Sequence, residues 1–251
     1  MQLTLLGTGN VGHLPVYGCQ CPACQRAHQH PQYRRGKTSA VITCNGKTLL
    51  LDANHPKLMS LFSPGTIDAI LLTHFHMDHV QSLFDLRWGV GETIPVFSPP
   101  DVMGCDDLYK HPGILQFKAL VEFQPFNWQG ITITPVPMQH SKLCFGYIFE
   151  YNNQRLAYFT DTINFPVHTQ NMLHNIDIDL MLLDCNHPPL LDTASCNHND
   201  LTIATRIKHQ YPIKSMGLIH VSHQLDSWAM EHPEHFTDQL FLARDGQTFH
   251  F

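Results

Sequence analysis

Short β-forming runs recur along this chain and predict a protein built largely on β-sheet. Asn45-Gly46 and Asn152-Asn153 each lie between two such runs and predict tight hairpin turns. The predicted strands cover residues 3–6, 40–43, 48–51, 69–73, 95–98, 131–135, 146–151, 155–160, 180–184 and 217–219.

Helices are predicted between strands, at residues 56–62, 80–88, 166–175 and 200–210. An early meander followed by strands alternating with helices predicts a mixed sheet system with the helices outside. The chain has 251 residues, of which 43% are hydrophobic, so it can bury one sizeable core. We therefore predict a single domain over residues 1–251.

The charge balance argues against a nucleic-acid partner, because the formal net charge is -6 and basic residues form no long runs. No apolar run reaches the length of a membrane span. The first residues lack the basic region and cleavage site of an export signal. We expect a cytoplasmic protein without a membrane partner, in which most of the eight cysteines stay reduced.

The first predicted strand is followed by the pattern G-x-G-x-x-G at residues 7–12, which is typical of dinucleotide sites. That motif requires a helix directly afterwards and an acidic residue about 20 positions on. The following residues, 13–19, include Pro15 and Gly18 and favour no helix, and Arg34 and Arg35 stand where the acid is needed. We interpret the pattern as a glycine-rich turn that passes close to a metal site.

Residues 74–79 spell His-x-His-x-Asp-His and crowd metal-binding groups into one short stretch. If the strand 69–73 stays extended through His76, His74 and His76 point the same way, because side chains alternate along a strand. Asp78 and His79 follow where the chain turns into the next helix. We therefore predict that one ion binds His74 and His76 and that a second binds Asp78 and His79.

Two neighbouring ions need further ligands, and three candidates each follow a predicted strand: His140, Asp161 and His220. Asp161 is best placed to bridge the two ions. Nitrogen and oxygen ligands of this kind suit Zn²⁺, Mn²⁺ or Fe²⁺, and the sequence leaves the choice open.

Cys19, Cys21 and Cys24 have the spacing C-x-C-x2-C, which provides three thiolates of a tetrahedral zinc site. His223, three residues after His220, is our candidate for the fourth ligand. A closed shell of three cysteines and one histidine leaves no position for substrate, so this zinc would be structural. The zinc-binding loop covers about residues 13–36.

Two divalent ions about 3.5–4 Å apart activate water and suit the hydrolysis of a phosphodiester. His198 lies just before the predicted helix 200–210, and we predict that it is the general acid that protonates the leaving group. Asp78 is the second predicted catalytic residue. Lys142 and Ser141, next to His140, are predicted to bind the phosphate.

The roles of the remaining candidates stay open at this stage. Arg34 and Arg35 suit either substrate binding or a solvated surface. Asp184 and His187 end a predicted buried strand, and we expect them to hydrogen-bond metal ligands rather than to bind metal.

The motif and the later ligands resemble the metallo-β-lactamase superfamily. Within it, the chain is similar to the cyclic phosphodiesterases of the carbon–phosphorus lyase pathway. The stretches that carry the resemblance are "GCQCPAC", "PQYRR", "LLTHFHMDHVQSLFDLRWGVG", "GCDDLYKHPG", "HSKLCFGY", "LDCNHPP", "NHNDL" and "HVSHQLDSW". The resemblance implies an αββα sandwich: two mixed β-sheets face to face, flanked by helices.

The resemblance also implies an activity and a set of ligands. The substrate would be 5-phosphoribosyl 1,2-cyclic phosphate, a small molecule, and the expected assembly is a homodimer. Two ions, usually manganese, would be present, with zinc as the alternative. One ion would bind His74, His76, His140 and Asp161, and the other would bind Asp78, His79, Asp161 and His220.

Three other functions fit parts of the pattern. A tRNA 3′-processing endonuclease of the same superfamily would need a protruding arm and a basic surface, and neither is evident. A β-lactamase, lactonase or thioester hydrolase would act on carbonyl groups. A metal-binding protein without catalysis would have no use for a proton donor such as His198.

Overall fold

Two mixed β-sheets of seven strands each form the centre of the protein, which we describe from a computed structural model covering residues 1–192 and 196–251. The first sheet contains β1 (Gln2–Gly7), β2 (Ser39–Cys44), β3 (Lys47–Leu51), β4 (Ala69–Leu71), β5 (Ile94–Ser98), β6 (Leu115–Ala119) and β14 (Thr248–His250). The second sheet contains β7 (Phe126–Trp128), β8 (Ile131–Met138), β9 (Cys144–Tyr151), β10 (Gln154–Phe159), β11 (Ile178–Asp184), β12 (Ile213–Ile219) and β13 (Leu240–Leu242).

Each sheet is antiparallel on one side and parallel on the other. The first sheet has the order β14-β1-β2-β3-β4-β5-β6, and its parallel pairs begin at β3. The second has the order β13-β12-β11-β10-β9-β8-β7, and β10 to β13 are parallel. The carboxyl ends of parallel strands meet at one edge of a sheet, which is where sites form in sheets of this kind.

Helices cover the outer face of both sheets, as the sequence predicts for an αββα sandwich. The first sheet packs against α2 (Leu58–Leu61), α3 (Met77–Val80), α4 (Leu83–Leu86) and α5 (Asp106–Lys110). The second packs against α6 (Val167–Leu173), α7 (Leu201–Gln210) and α8 (His223–Glu231). Among the described residues, α1 (Pro22–Gln29) has a small core of its own with the cysteine loop, and no helix is long and apolar enough to cross a bilayer.

The two sheets bury a continuous apolar layer between them, which includes Leu3 and Ile42 from the first sheet and Phe149 from the second. Removing one such aromatic side chain costs about 3–5 kcal/mol. Tyr147 of this layer donates a hydrogen bond of 2.5 Å from its hydroxyl to the carbonyl of Leu72. The layer therefore holds the chain just before the motif at residues 74–79.

Two predicted elements end differently in the structure. The strand expected at 69–73 stops at Leu71, because the Thr73 amide donates to the Asp52 carboxylate at 2.8 Å instead of to a neighbouring strand. The helix expected at 80–88 is replaced by α3 and α4, because the Ser82 amide donates to the Ala53 carbonyl at 2.9 Å. Met77 begins α3 and is exposed, whereas a continued strand would have placed it on an apolar face.

Several elements were not predicted: α1, α5, α8, β6, β7, β13 and β14. Most are short, and α1 buries only the small side chains Ala23, Cys24 and Ala27, which leaves a weak periodic signal. Tertiary pairing fixes the short strands, as when Leu3 of β1 pairs with Phe249 of β14.

The glycine pattern at residues 7–12 leads into no helix, and the chain makes none before Pro22. A Cβ atom on Gly7 would lie 2.0 Å from the Lys37 carbonyl oxygen, so only glycine fits this close approach. The Asn10 amide donates to the Val221 carbonyl at 3.2 Å. The turn therefore passes beside the strand end that carries His220, as the sequence predicts.

Candidate metal centre

The seven predicted ligands lie together at one edge of the sandwich, at the ends of strands from both sheets. His74 and His76 follow β4, Asp78 and His79 lie in α3, and single residues follow β8, β10 and β12: His140, Asp161 and His220. Their ligand atoms form two adjoining groups in which all atoms lie within 4.8 Å of one another: His74, His76, His140 and Asp161 in one, and Asp78, His79 and His220 in the other.

The Asp161 carboxylate belongs to the first group and also faces the second. Its Oδ2 is 3.8 Å from His74 Nε2 and 3.5 Å from His220 Nε2. Its Oδ1 is 3.2 Å from His79 Nε2. A single carboxylate that faces both groups can share its oxygens between two ions, which is the bridging position predicted from the sequence.

In most of the candidate histidine ligands, one ring nitrogen lies close to an oxygen atom, and the other ring nitrogen faces the centre. His79 Nδ1 lies 2.6 Å from Asp52 Oδ2, and His74 Nδ1 lies 3.0 Å from the Thr73 hydroxyl. His140 Nδ1 lies 3.3 Å from the Asn197 carbonyl. Oxygen partners of this kind fix the ring orientation of metal-binding histidines, so the arrangement fits ligands whose Nε2 atoms face an ion.

Buried nitrogen atoms without partners give a direct test of whether the site fits metal. Within the described part of the chain, Nε2 of His79 and both ring nitrogens of His220 are buried and have no hydrogen-bond partner. A buried polar atom left in this way costs about 1–3 kcal/mol. A divalent ion would satisfy the Nε2 atoms, so the residues present fit a metal centre.

The pKa values of most of the cluster favour ligand forms; for His79, burial acts to lower the pKa, but Asp161 and Asp52 outweigh it and raise the pKa well above its ordinary value. Burial lowers the pKa of His74 well below its ordinary value and that of His140 to about 4, so both rings are neutral at pH 7. For Asp161, burial acts to raise the pKa, but His220 and His79 outweigh it and hold it well below the usual range. Neutral imidazole and ionised carboxylate are the forms that bind metal.

Two of the candidate ligands lie in strained backbone. Asp161 and His220 have φ angles of 55° and 57°, in the left-handed region that side chains other than glycine rarely adopt. Each such residue costs on the order of 1–3 kcal/mol, and such strain concentrates at functional sites. In this case, the strained turn lets each side chain leave its strand and face the centre.

His198 lies against the centre and is held by a buried carboxylate. Its ring stacks on His220 with centroids 4.5 Å apart, and its Nδ1 lies 2.7 Å from Asp184 Oδ2. Burial acts to lower the pKa of His198, but the Asp184 carboxylate raises it to about 9. A pKa of about 9 favours the protonated ring at neutral pH, and the hydrogen bond to Asp184 fixes the ring through Nδ1.

The sequence model of the β-lactamase superfamily domain matches residues 46–221, which include the motif and all seven candidate ligands. The chain belongs to the metallo-β-lactamase superfamily. The two-sheet fold and the position of the ligands at the strand ends agree with that membership.

Solved structures of metallo-β-lactamase fold proteins align with the whole chain. A diphosphatase of the PhnP family aligns with a TM-score of 0.82 and 26% identity, over 100% of this chain and 96% of that one. Zinc-bound PqqB from Methylobacterium extorquens aligns with a TM-score of 0.80 and 18% identity, over 100% of both chains. The first relationship supports a PhnP-like member of the superfamily, and the second shows the shared fold.

Among curated sequences, the octanoyltransferase of Porphyromonas gingivalis is 31% identical over 64% of this chain. The match spans only 35% of the length of that protein, so its whole activity does not carry over. Ribonuclease Z proteins are among the other matches. The superfamily domain, the PhnP-family diphosphatase and the ribonuclease Z proteins support a hydrolase.

The predicted cysteine site also comes together in this superfamily member. Cys19, Cys21, Cys24 and His223 have ligand atoms within 4.8 Å of one another, and His223 Nδ1 is 3.2 Å from Cys19 Sγ. For Cys21, burial acts to raise the pKa, but hydrogen bonds, first from Ser227, lower it to about 6. This favours the thiolate form of Cys21, whereas burial raises the pKa of Cys24 to about 12. The group fits zinc by its geometry and its donor set, and the role of its members as ligands stays a proposal.

Of the other predicted residues, Lys142 and Ser141 lie near residues of the candidate centre, whereas His187 makes a different contact from the one expected. Lys142 is half-buried and lies near enough to His76 for its charge to lower the pKa of that ring, although burial lowers it more. Ser141 accepts a hydrogen bond of 2.8 Å from Asn197, beside His198. By contrast, His187 lies with its Nε2 3.1 Å from the Asn186 amide nitrogen, so the expected hydrogen bond to a metal ligand is not found.

Neither interpretation of Arg35 was right, because its side chain is buried and pairs with Asp226 at 2.6 Å. The Arg35 side chain therefore has a structural role in the interior of the fold, and it is neither a substrate-binding nor a solvated surface residue. Arg34 is exposed and donates from Nε to the Ala27 carbonyl at 3.1 Å. Asp184 lies 3.7 Å from His220 Nδ1, beyond hydrogen-bond distance, and its bond goes to His198 instead.

Sequence reasoning missed Asp52, a fully buried carboxylate directly after β3. It accepts from the Thr73 amide and hydroxyl and faces His79 at 2.6 Å. A usable signal was present, since Asp52, like Asp161 and Asp184, lies at or just after the end of an apolar strand. Only the fold shows that Asp52 faces a ligand.

We expect Asp52→Asn to weaken metal binding by about 10–100-fold, because the neutral amide no longer holds the His79 ring or supports its basicity. Competition with a metal chelator measures the change in affinity. Asp68→Asn is the matched control, since Asp68 is a strand-entry carboxylate that pairs with Lys47 and accepts from Thr48. Equal metal affinity in Asp52→Asn and wild type would contradict this role.

Proposed function

We propose that this superfamily member is a two-metal cyclic phosphodiesterase that opens 5-phosphoribosyl 1,2-cyclic phosphate to ribose 1,5-bisphosphate during phosphonate breakdown. The observation that carries the proposal is the Asp184–His198 pair beside the candidate ligands. A charged proton donor stacked on His220 has a clear use in releasing an alkoxide leaving group. The substrate itself rests on the sequence resemblance and on the likeness to a PhnP-family protein.

The proposal includes two divalent ions, manganese by resemblance or zinc, held as described above, with Asp161 shared. A third ion, zinc, would bind Cys19, Cys21, Cys24 and His223. When bound, the ions of the pair supply positive charge that activates water and stabilises the charge developing on phosphate oxygens.

The side chains of the chain itself supply orientation and the proton. Asp184 holds Nδ1 of His198, so the proton for the leaving oxygen comes from Nε2. Lys142 and Ser141 would position the non-bridging phosphate oxygens beside His140. For Asp78, burial acts to raise the pKa, but the nearby His220, 3.9 Å away, and the charge of His79 outweigh it and lower the pKa to about 2, so Asp78 is ionised and suits a metal ligand.

A second candidate is hydrolysis of a diphosphate, since one similar structure is described as a diphosphatase. The same ligands could serve it, and the leaving group separates the two. A diphosphate releases a phosphate, which leaves without a strong proton donor, whereas a sugar alkoxide requires one. The presence of a charged His198 favours the cyclic diester.

The proposal includes a cytoplasmic location, a small-molecule partner and a homodimer. A tRNA substrate is disfavoured by the net charge of -6. Within the described residues the longest helix, α7, has ten residues, which offers no extended arm. A strong salt dependence of RNA binding would favour the tRNA alternative.

The deciding experiment measures turnover of manganese-loaded protein on four compounds at equal concentration: 5-phosphoribosyl 1,2-cyclic phosphate, a 2′,3′-cyclic nucleotide, a nucleoside diphosphate and a nitrophenyl acyl ester. We expect the highest kcat/KM for the first, a lower value for the second, and little turnover of the last two. Preferred cleavage of the diphosphate or of the acyl ester would refute the cyclic diester as substrate. No turnover of any of them with full metal content would support the non-catalytic alternative.

A further inference from the structure

Three arginine side chains gather around Asp226 between α1, α8 and the C-terminal segment. Arg26 Nη2 lies 2.7 Å and Arg35 Nε lies 2.6 Å from the two oxygens of that carboxylate. The third, Arg244, lies near enough for Arg35, Asp226 and Arg26 to affect its pKa. Two guanidinium groups thus pair directly with Asp226. Asp245 is a second carboxylate near Arg35, so the three arginines outnumber the two carboxylates by one.

The aromatic ring of Tyr33 lies close to the guanidinium groups of two of these arginines, Arg26 and Arg244. The guanidinium carbon of Arg26 is 4.2 Å from the centre of the tyrosine ring, and that of Arg244 is 5.2 Å away. The ring holds both cations by cation–π attraction and brings like charges together. An anion between them would relieve the repulsion.

Several N–H groups of the cluster have no acceptor. Within residues 1–192 and 196–251, Arg26 Nε and Arg35 Nη2 are buried without a hydrogen-bond partner. Arg244 donates from its backbone to Gln247 but makes no hydrogen bond through its guanidinium to a described residue. Burial, and then the charges of Arg35 and Arg26, lower the pKa of Arg244. Unpaired buried donors cost free energy, and of these three arginines Arg26 and Arg244 line the neighbouring cavity, where a ligand can meet their charge.

A cavity of about 190 Å³ opens on the cluster. Arg26, Asp226 and Arg244 form its charged side, and Met230, Phe236 and Leu242 form part of its apolar side. At ~30 Å³ per water molecule, it has room for about six waters, which is the space of one small organic molecule. A groove lined in part by Arg26, Tyr33 and Met230 adjoins it.

We infer that this cavity, which we call the arginine pocket, binds a small organic anion whose carboxylate or phosphate group meets Arg26 and Arg244 while its apolar body contacts Met230 and Phe236. Arginine forks match the oxygens of both groups, so the two anion types share one chemistry. The residues that line the pocket lie outside the ligand groups of the metal centre. The inference therefore does not depend on the proposed catalytic function.

The test is isothermal titration of the metal-loaded full chain with benzoate, phenyl phosphate and the neutral isostere benzamide. We expect at least one of the anions to bind with a Kd of about 1 mM or tighter, more weakly as salt rises, and benzamide not to bind. Tighter binding of phenyl phosphate identifies a phosphate ligand, and tighter binding of benzoate a carboxylate. Failure of both anions to bind, or equal binding of benzamide, would overturn the inference.

Variants separate this pocket from the metal centre. Arg244→Gln should weaken anion binding at least tenfold, and Arg244→Lys should weaken it less, because lysine keeps the charge but not the fork. Arg155→Gln, which changes an exposed arginine paired with Glu150, should leave binding unchanged. Anion binding that survives Arg244→Gln belongs to another site and contradicts the proposal. If Arg244→Gln fails to fold, the weakening in Arg244→Lys decides the question.

Discussion

His198→Ala should slow the hydrolysis of a cyclic or alkyl phosphodiester by about 10²–10⁴-fold, because the leaving alkoxide loses its proton donor. A nitrophenyl phosphodiester should be affected far less, since nitrophenolate leaves without protonation. The structural basis is the Asp184 hydrogen bond of 2.7 Å, which orients the ring and raises its pKa to about 9. Steady-state kinetics on both substrates measure the difference between leaving groups.

Metal content distinguishes this role from another that the geometry allows. A ring nitrogen of His198 lies within 4.8 Å of ligand atoms of Asp161 and His220, so His198 could itself bind an ion. A proton donor predicts an unchanged metal content in His198→Ala, whereas a ligand predicts loss of an ion. His187→Ala is the matched control, because His187 is also half-buried but contacts Asn186. If His198→Ala slows the hydrolysis of both phosphodiesters equally, His198 is not the proton donor for the leaving group.

Asp161→Asn should remove both ions of the pair and lower turnover by on the order of 10³-fold or more. Asp161 is 2% exposed and faces His74 and His220 with one oxygen and His79 with the other, so its charge offsets both ions. The substitution removes several kcal/mol of electrostatic stabilisation from the transition state, and each 1.36 kcal/mol of activation free energy changes the rate tenfold. Elemental analysis by mass spectrometry, without added metal, measures the ions.

The cysteine group provides an internal reference for this experiment. We expect about three ions in the wild-type protein and one in Asp161→Asn, the remaining ion being zinc bound through sulfur, as X-ray absorption can identify. Asp85→Asn changes an exposed carboxylate of α4 and should keep all three. Full occupancy of the pair in Asp161→Asn with undiminished turnover would exclude a shared carboxylate.

The residues of the candidate metal centre could be picked out largely because they have local signatures in the sequence. His74, His76, Asp78 and His79 stand within six positions, and His140, Asp161 and His220 each follow an apolar strand. A strand that ends at a sheet edge delivers the next side chain to that edge. The cysteine group could be predicted for a similar reason, because Cys19, Cys21 and Cys24 lie close together in the sequence.

The partners of these ligands could not be predicted, because they depend on which strands become neighbours. Asp52 reaches His79 only because β3 pairs with β4 in parallel, with Leu51 opposite Leu71. Asp184 and His198 are 14 positions apart in the sequence, and no local pattern predicts that their side chains meet. The break between α3 and α4 likewise depends on the carbonyl of Ala53, which lies far from Ser82 in sequence.

The sequence by itself determined which side chains can bind metal and that they lie at strand ends, because both properties follow from residue type and from the alternation along a strand. Only the tertiary structure decided which carboxylate orients which ring, and that Arg35 is buried against Asp226 rather than exposed. The physical reason is that a hydrogen bond of less than 3 Å needs both groups in place, and strand register, set by packing between the sheets, places them.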